Sequence, residues 1–217
     1  MNTKRMILAA LAVTLMGSAG VLAQGNPTGP MSFFVTSTSQ GGNLGGLAGA
    51  DATCQRLAAA AGQGNRTWRA YLSTQGQGAV NARDRIGNGP WFNAKGVRIA
   101  ANLADLHGDV ERDRNLLQIE TTLTEKGESI PGRGAPVNEH DILTGSDSHG
   151  KAFPAGEDRT CANWTSNADT NKAMIGHHDR MSAANTSWNS SHMTQGCSLD
   201  ALKRTGGAGR FYCFAAN

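Results

Sequence analysis

The feature that most constrains this chain is its set of four cysteines, Cys54, Cys161, Cys197 and Cys213, spread over most of its 217 residues. No two of them form a C-x-x-C pair, so neither a structural zinc site nor a thioredoxin-like redox motif is expected. An even number of cysteines in an exported chain indicates two disulfides, because a catalytic cysteine would leave an odd thiol in an oxidising compartment. These residues alone leave three pairings open.

The N-terminus has the pattern of a secretory signal peptide. Lys4 and Arg5 precede an apolar run from Met6 to Met16, and Val21-Leu22-Ala23 offers small or apolar residues to a signal peptidase. We expect cleavage after Ala23, a flexible lead over residues 24–30, and a secreted or periplasmic mature protein. The apolar run is well short of the ~20 residues that span a bilayer, so no membrane insertion is expected once the signal is removed.

Removal of this segment also changes the charge of the protein. The full chain has 20 basic and 17 acidic residues, and cleavage leaves 18 basic against 17 acidic, a net charge of +1. Such a chain has no electrostatic basis for binding nucleic acid or anionic lipid. Its 28 glycines and its charged fraction of 17% also argue against a coiled coil or a long helical bundle.

Hydrophobic periodicity predicts short elements in the first half of the mature chain. From Ala50 to Ala61, the residues Cys54, Leu57 and Ala58 recur on one helical face, which places the first cysteine on the buried side of a helix. The other expected elements are a strand at 31–38, a strand with one buried face at 67–74, a short helix at 81–86, a turn and strand at 90–100, and a helical turn at 102–107.

The periodicity fades in the second half. Residues 108–154 are dominated by Gly, Pro, Asp, Asn and Ser, with a short apolar island at 141–143, and they predict long ordered loops. Short strands are expected around 161–165 and 173–176, and a last strand at 210–215.

The order of these elements resembles the C-type-lectin-like fold, which endostatin shares. The resemblance lies in the cysteine-bearing helix Ala50–Leu57, the strand Trp68–Ser73, Trp188-Asn189-Ser190, Cys197, and Phe211-Tyr212-Cys213-Phe214. Four further blocks resemble a bacterial exported, lectin-like family of unassigned activity: residues 82–87, 89–96, 140–145 and 176–180.

This resemblance implies a fold and a pairing of the cysteines. The fold would be one α+β domain over residues 31–217, with short antiparallel strands, one or two main helices and long loops. The first cysteine would pair with the last, Cys54 with Cys213, and the inner bridge would join Cys161 to Cys197.

A calcium-dependent sugar site, found in many C-type lectins, lacks its ligand tripeptides here. The chain has no Glu-Pro-Asn or Gln-Pro-Asp, and Ser190 follows Trp188-Asn189 where a carboxylate would stand. Calcium needs six to eight oxygen ligands. Glu157, Asp158 and Asp179 are the nearby substitutes, but the sequence does not fix their geometry. No cofactor is therefore expected, and the alternative role of Asn189 is to bond backbone groups beneath a loop.

Histidines offer a second kind of chemistry. Adjacent residues of a strand point to opposite faces, so His177 and His178 are not expected to bind one metal ion together. A zinc site that uses one of them with His192 and Asp179 remains conceivable. The alternative function is therefore a metal-dependent hydrolase based on His177, His178 and Asp179, or a triad with a serine from residues 187–191.

The leading hypothesis is a non-catalytic binding protein that recognises a glycan or a protein surface through residues 156–196. Tryptophan faces are common anchors for sugars and partner proteins, although Trp164 and Trp188 are equally compatible with the core. A purely structural envelope protein is the third alternative. The candidate ligand-binding residues are Asn163, Trp164, His177, His178, Asp179, Arg180, Trp188, Asn189 and His192.

Overall fold

The computed structural model describes residues 27–108, 114–182 and 186–217. The predicted signal peptide and its cleavage site lie outside the described residues. Of the predicted flexible lead, Thr28 forms a bridge with Val97, and the Gly29 N–H donates to the Gly96 carbonyl at 3.2 Å. No helix in the described part of the chain is long and apolar enough to cross a membrane.

The fold is α+β, as the sequence predicts, and the described residues form four helices and two β-sheets. The strands are β1 (Phe33–Val35), β2 (Trp68–Ala70), β3 (Trp91–Phe92), β4 (Arg98–Ala100), β5 (Asp141–Leu143), β6 (Met174–His177), β7 (His192–Met193) and β8 (Gly207–Ala215). The helices are α1 (Gly46–Ala60), α2 (Leu103–His107), the single turn α3 (Cys161–Trp164) and α4 (Leu199–Thr205), and a short 3-10 helix covers Ala82–Arg85.

The long strand β8 organises the main sheet, whose order is β1-β8-β5-β6-β7 with β2 also paired to β8. Phe33 of β1 lies opposite Phe214, and Ala70 of β2 lies opposite Cys213, both in antiparallel register. The pairs β5–β6 and β6–β7 are antiparallel too, whereas β5 runs parallel to β8. The expected antiparallel pairing therefore holds for the described strand pairs of this sheet except β5 with β8.

Both disulfides form, and they join the pairs that the fold resemblance implies. Cys54 on the buried face of α1 bonds to Cys213 on β8, and Cys161 bonds to Cys197, with Cα–Cα distances of 5.6 and 5.8 Å. The first bridge fixes the main helix to the sheet, and the second closes the loop region that carries most of the candidate residues. Two structural disulfides indicate that the protein matures in an oxidising compartment.

Two local predictions are wrong, and one helix has no counterpart in them. Residues 141–143 form a strand in the main sheet rather than a loop, because pairing with β6 and β8 buries this short island. Residues 161–164 are not a strand but a turn of left-handed helix, with φ between 48° and 66°. Helix α4 at Leu199–Thr205 was not predicted, although the Ser198 hydroxyl caps it by accepting from the Ala201 N–H.

Candidate functional site

The left-handed turn α3 separates the roles of its two candidate residues. Trp164 is fully buried, and its indole N–H donates to the Ser73 carbonyl at 2.8 Å. Asn163 is exposed, and its amide oxygen accepts from the Gln75 N–H at 2.7 Å. Trp164 therefore belongs to the core in this structure, and only Asn163 faces solvent.

Trp188 is a core residue as well. Its side chain is 4% exposed and packs against Tyr71 and Tyr212, with ring centroids 4.9 and 5.3 Å apart. The Tyr212 hydroxyl donates to the Trp188 carbonyl at 2.9 Å. Both tryptophans thus take the packing role that the sequence left open, and neither offers a free face for stacking on a ligand.

Asn189 is buried, and its amide is saturated with hydrogen bonds. The amide nitrogen donates to the Tyr71 hydroxyl at 2.9 Å and to the carbonyls of Asp147 and Ser148, each at 3.2 Å. Its oxygen accepts from the Ser187 hydroxyl at 3.0 Å. These bonds fix the loop before β7, which is the backbone-bonding role considered above. They leave no Asn189 oxygen turned outward for calcium.

Arg180, Trp188 and Asn189 come together at a polar cleft of about 170 Å³. Arg180 adopts a left-handed backbone conformation (φ 53°), and its guanidinium donates to the Leu117 carbonyl at 2.6 Å. His107 forms part of the cleft wall and bonds to the Tyr71 hydroxyl at 2.8 Å. The remaining described lining residues are Gly108, Asn115, Ser148, His149, Thr186 and Ser187.

His177 is the last residue of β6 and His178 follows it, and neighbouring residues in an extended chain point in opposite directions. His178 is fully buried, and burial lowers its pKa to about 4, so the ring is neutral. His177 lies opposite Asp141 in the antiparallel register of β5 and β6. The predicted group of His177, His178 and Asp179 is therefore not assembled around one point.

A different group forms on the His177 face, around the buried carboxylate of Asp141. Oδ1 of Asp141 lies 3.1 Å from Nε2 of His140, 3.4 Å from Nε2 of His177 and 3.7 Å from Nε2 of His192. The rings of His140 and His177 stack with centroids 4.2 Å apart. His140, Asp141 and His177 each offer a ligand atom within 4.8 Å of the other two, the one such group of three among the described residues.

Asp179 supports this group from behind. Its Oδ1 lies 3.2 Å from Nδ1 of His140, and its carboxylate accepts backbone N–H groups of Arg133 at 2.7 Å and Met181 at 2.9 Å. Burial alone would raise the pKa of Asp179, but these hydrogen bonds outweigh it and lower the pKa. The carboxylate is therefore ionised, and it orients the His140 ring.

The pKa values of His140 and Asp141 are set by their burial and by the charges beside them. Burial would lower the pKa of His140, but the carboxylates of Asp141 and Asp179 raise it to about 9. Burial would raise the pKa of Asp141, but the neighbouring His140 and His177 and the charge of His192 lower it. Two ionised carboxylates thus lie around the His140 ring, and the group attracts positive charge.

Ser191 adds a hydroxyl to the same group. Its Oγ lies 3.1 Å from Nδ1 of His177, whose Nε2 faces Asp141. This is the closest approach to the serine triad considered from the sequence, but its acid is Asp141 rather than Asp179. The contacts are also inverted relative to a serine protease, where Nε2 faces the serine and Nδ1 faces the acid.

Sequence reasoning missed His140 and Asp141 as site residues. Both were noted only as part of a block resembling the lectin-like family, at the start of an apolar island that was expected to be a loop. A polar pair immediately before a strand could have indicated a buried cluster. The partners across the sheet, however, lie more than 30 residues away along the chain.

Comparison of the chain with protein-family models and with curated proteins finds no match to either. The chemistry of the cleft and of the histidine group therefore carries the functional argument.

Proposed function

We propose that this chain is an exported, non-catalytic binding protein with a C-type-lectin-like fold, and that it recognises a glycan at the polar cleft beside Arg180. The observation that carries the proposal is the cleft itself. It places Arg180 beside the polar side chains of Asn115, Ser148 and His149, with the buried Trp188 and Asn189 forming part of its wall. In a concave site, a few precisely placed polar groups orient the ligand and provide specificity.

The arrangement of the disulfides supports the fold part of the proposal. The main helix is bonded to the last strand, and β1 pairs with β8, so the two ends of the domain meet. The inner bridge lies within the loop-rich part of the chain. The resemblance to C-type-lectin-like domains implies these same features.

The lining of the cleft favours a hydroxyl-rich ligand. Amide, hydroxyl, imidazole and guanidinium groups surround it, so it offers both donors and acceptors. The cleft is preorganised, because Asn189, Tyr71 and His107 form a continuous hydrogen-bond network behind it. Preorganised polar groups bind with a smaller loss of side-chain entropy. Since the Asn189 amide is already saturated, we expect this binding to be independent of Ca²⁺.

A glycan array with and without Ca²⁺ tests the proposal, followed by calorimetry on any hit. Thr186 is an exposed residue of the cleft wall, so Thr186→Trp fills the entrance without touching the core. We expect this variant to weaken binding about tenfold or more, the equivalent of about 1.4 kcal/mol. Lys203→Trp, an exposed position on α4 outside the cleft, is the matched control and should bind like the wild type.

Two results would count against glycan recognition at this cleft. One is the absence of binding to every glycan in both conditions, which would turn attention to a protein partner. The other is equal loss of binding in the Thr186 and Lys203 variants.

The hydrolase alternative has one supporting contact, that of Ser191 with His177. Hydrolysis of model esters and glycosides, measured with and without Zn²⁺, tests it, and a Ser191→Ala variant with unchanged turnover would remove the serine from consideration. A purely structural envelope protein would instead show loss of stability in Trp164→Ala and Trp188→Ala with no ligand found in any assay.

A further inference from the structure

We propose that His140, Asp141 and His177 bind one divalent transition-metal ion, that His192 turns in from the exposed side as the fourth ligand, and that zinc is the best match. This inference goes beyond glycan recognition and does not depend on it. The argument rests on the hydrogen-bonding capacity of the four side chains, their burial, and the distances between their ligand atoms.

The hydrogen bonds of Nδ1 in His140 and His192 indicate where each ring carries its proton. Nδ1 of His140 faces the Asp179 carboxylate at 3.2 Å, and Nδ1 of His192 faces the Met193 carbonyl at 3.1 Å. Both partners can only accept, so each Nδ1 is the donor. In a neutral ring, Nε2 then carries a lone pair, and both Nε2 atoms face Asp141. Lone pairs that face an ionised carboxylate are repelled by it, and either protons on the rings or a cation bound between the atoms relieves that repulsion.

Asp141 is the second, independent observation. It is 98% buried, since only 2% of it is exposed, and neither carboxylate oxygen accepts a hydrogen bond in the structure. Nε2 of His177 is likewise buried without a hydrogen-bond partner. Buried polar groups are normally hydrogen-bonded, and buried charges are paired or coordinate metals. Three histidine Nε2 atoms thus approach one oxygen of a buried carboxylate, an arrangement compatible with ligands around an ion.

The distances to Asp141 are close to those of a tetrahedral site. His192 lies outside the group whose ligand atoms are all within 4.8 Å of one another, and the His140 and His177 rings are stacked, so ion binding would require these rings to rotate toward the ion. Zinc lies about 2.0–2.1 Å from histidine nitrogen and carboxylate oxygen, so neighbouring ligand atoms of a tetrahedron are about 3.3–3.4 Å apart. The three nitrogen-to-oxygen separations are 3.1, 3.4 and 3.7 Å. Three imidazoles and one carboxylate suit zinc better than calcium or magnesium, which prefer oxygen ligands alone.

The surroundings supply the outer partners that metal-bound histidines need. Asp179 holds Nδ1 of His140, the Ser191 hydroxyl contacts Nδ1 of His177, and the Met193 carbonyl holds Nδ1 of His192. Such partners fix the ring orientation and raise the basicity of the ligand. The first half of a carboxylate–histidine–metal arrangement, Asp179 to His140, is thereby preformed.

The ion would connect three strands, because its ligands belong to β5 and the residue before it, to β6 and to β7. His177 and His192 are the two ends of the segment 178–191, which contributes Arg180, Thr186 and Asn189 to the cleft. With four protein ligands the site is closed, which is typical of a structural ion. Its role would be to hold the base of the cleft segment.

The test measures zinc bound to the full mature protein. The purified, untagged protein is stripped with a chelator, confirmed as folded by circular dichroism, equilibrated with Zn²⁺ and passed through a desalting column before metal analysis. We expect about one zinc per chain, and a Co²⁺-loaded sample with the visible d–d bands of a tetrahedral site. Asp141→Asn, which preserves the shape of the side chain, and His177→Ala should both lose stoichiometric binding.

Two further variants make the result specific. Asp179→Asn keeps all four ligands and removes only the outer carboxylate, so we expect zinc binding weaker by roughly 10- to 100-fold. His149→Ala removes an exposed histidine outside the group and should retain full stoichiometry. Folded wild-type protein that binds no zinc would overturn the proposal and leave the group as an imidazolium–carboxylate cluster. Equal zinc content in the His177 and His149 variants would also overturn it.

Discussion

Replacement of Ala162 by glycine should stabilise this protein, against the usual effect of that substitution. Ala162 lies in the left-handed turn α3, with φ 53° and ψ 54°, and its side chain is exposed. A residue with a Cβ costs about 1–2 kcal/mol in this conformation, because the Cβ approaches the following carbonyl oxygen. Removal of an exposed methyl group loses no packing, and the Ala162 N–H keeps its bond to Asp158.

The gain is reduced by the greater freedom of glycine in the unfolded chain, about 0.4–1 kcal/mol. The net stabilisation for Ala162→Gly is therefore about 0.5–1 kcal/mol. Ala52→Gly is the matched control, since Ala52 is exposed in the interior of the right-handed helix α1. There the same change should destabilise by about 1 kcal/mol. The two variants should differ by about 1.5–2 kcal/mol.

Thermal unfolding with both disulfides intact measures this difference. For a domain of this size about 1 kcal/mol corresponds to about 2–4 °C in Tm, so the two variants should melt about 3–8 °C apart on opposite sides of the wild type. Thiol titration verifies that the bridges are formed in each sample. If Ala162→Gly destabilises as much as Ala52→Gly, residues 161–164 are not left-handed and the reasoning fails.

Three other perturbations give separate tests of the structure. Replacing both Cys161 and Cys197 by alanine removes a bridge that spans 36 residues. Chemical denaturation should then show a free energy of unfolding lower by about 4 kcal/mol. A change below about 1 kcal/mol would show that the loop region is ordered without the bridge. Gly176→Ala would place a Cβ 1.9 Å from the carbonyl oxygen of Trp188. This clash should lower the free energy of unfolding by about 1–3 kcal/mol and weaken ligand binding at the cleft. Normal stability and binding would contradict the close packing of β6 against this segment. For the proposed zinc site, removal of zinc by a chelator should lower Tm, because free zinc at 100 times its Kd stabilises the folded state by about 2.7 kcal/mol. An identical Tm with chelator and with excess zinc would contradict a structural ion.

Local patterns predicted the parts of the fold that depend on near neighbours in the sequence. The recurrence of Cys54, Leu57 and Ala58 predicted the buried face of α1, and the structure buries all three residues. The alternation around Trp68 and Ala70 predicted β2 in the same way. Such patterns work because the period of a helix or strand is set by the backbone within one or two turns. The left-handed turn α3 escaped them, because it contains no glycine and, of its four residues, only Asn163 is of a type enriched at positive φ.

The sequence by itself determined the class of this protein: an α+β chain whose even set of cysteines indicated two bridges. Only the tertiary structure decided what surrounds its candidate residues. It buried Trp164 and Trp188, and it brought His177 and His192 to the carboxylate of Asp141, a residue that sequence reasoning had placed in a loop. The physical reason is register. Which side chains meet across a sheet depends on backbone pairing between distant segments, and hydrophobic periodicity within one segment contains no information about that pairing.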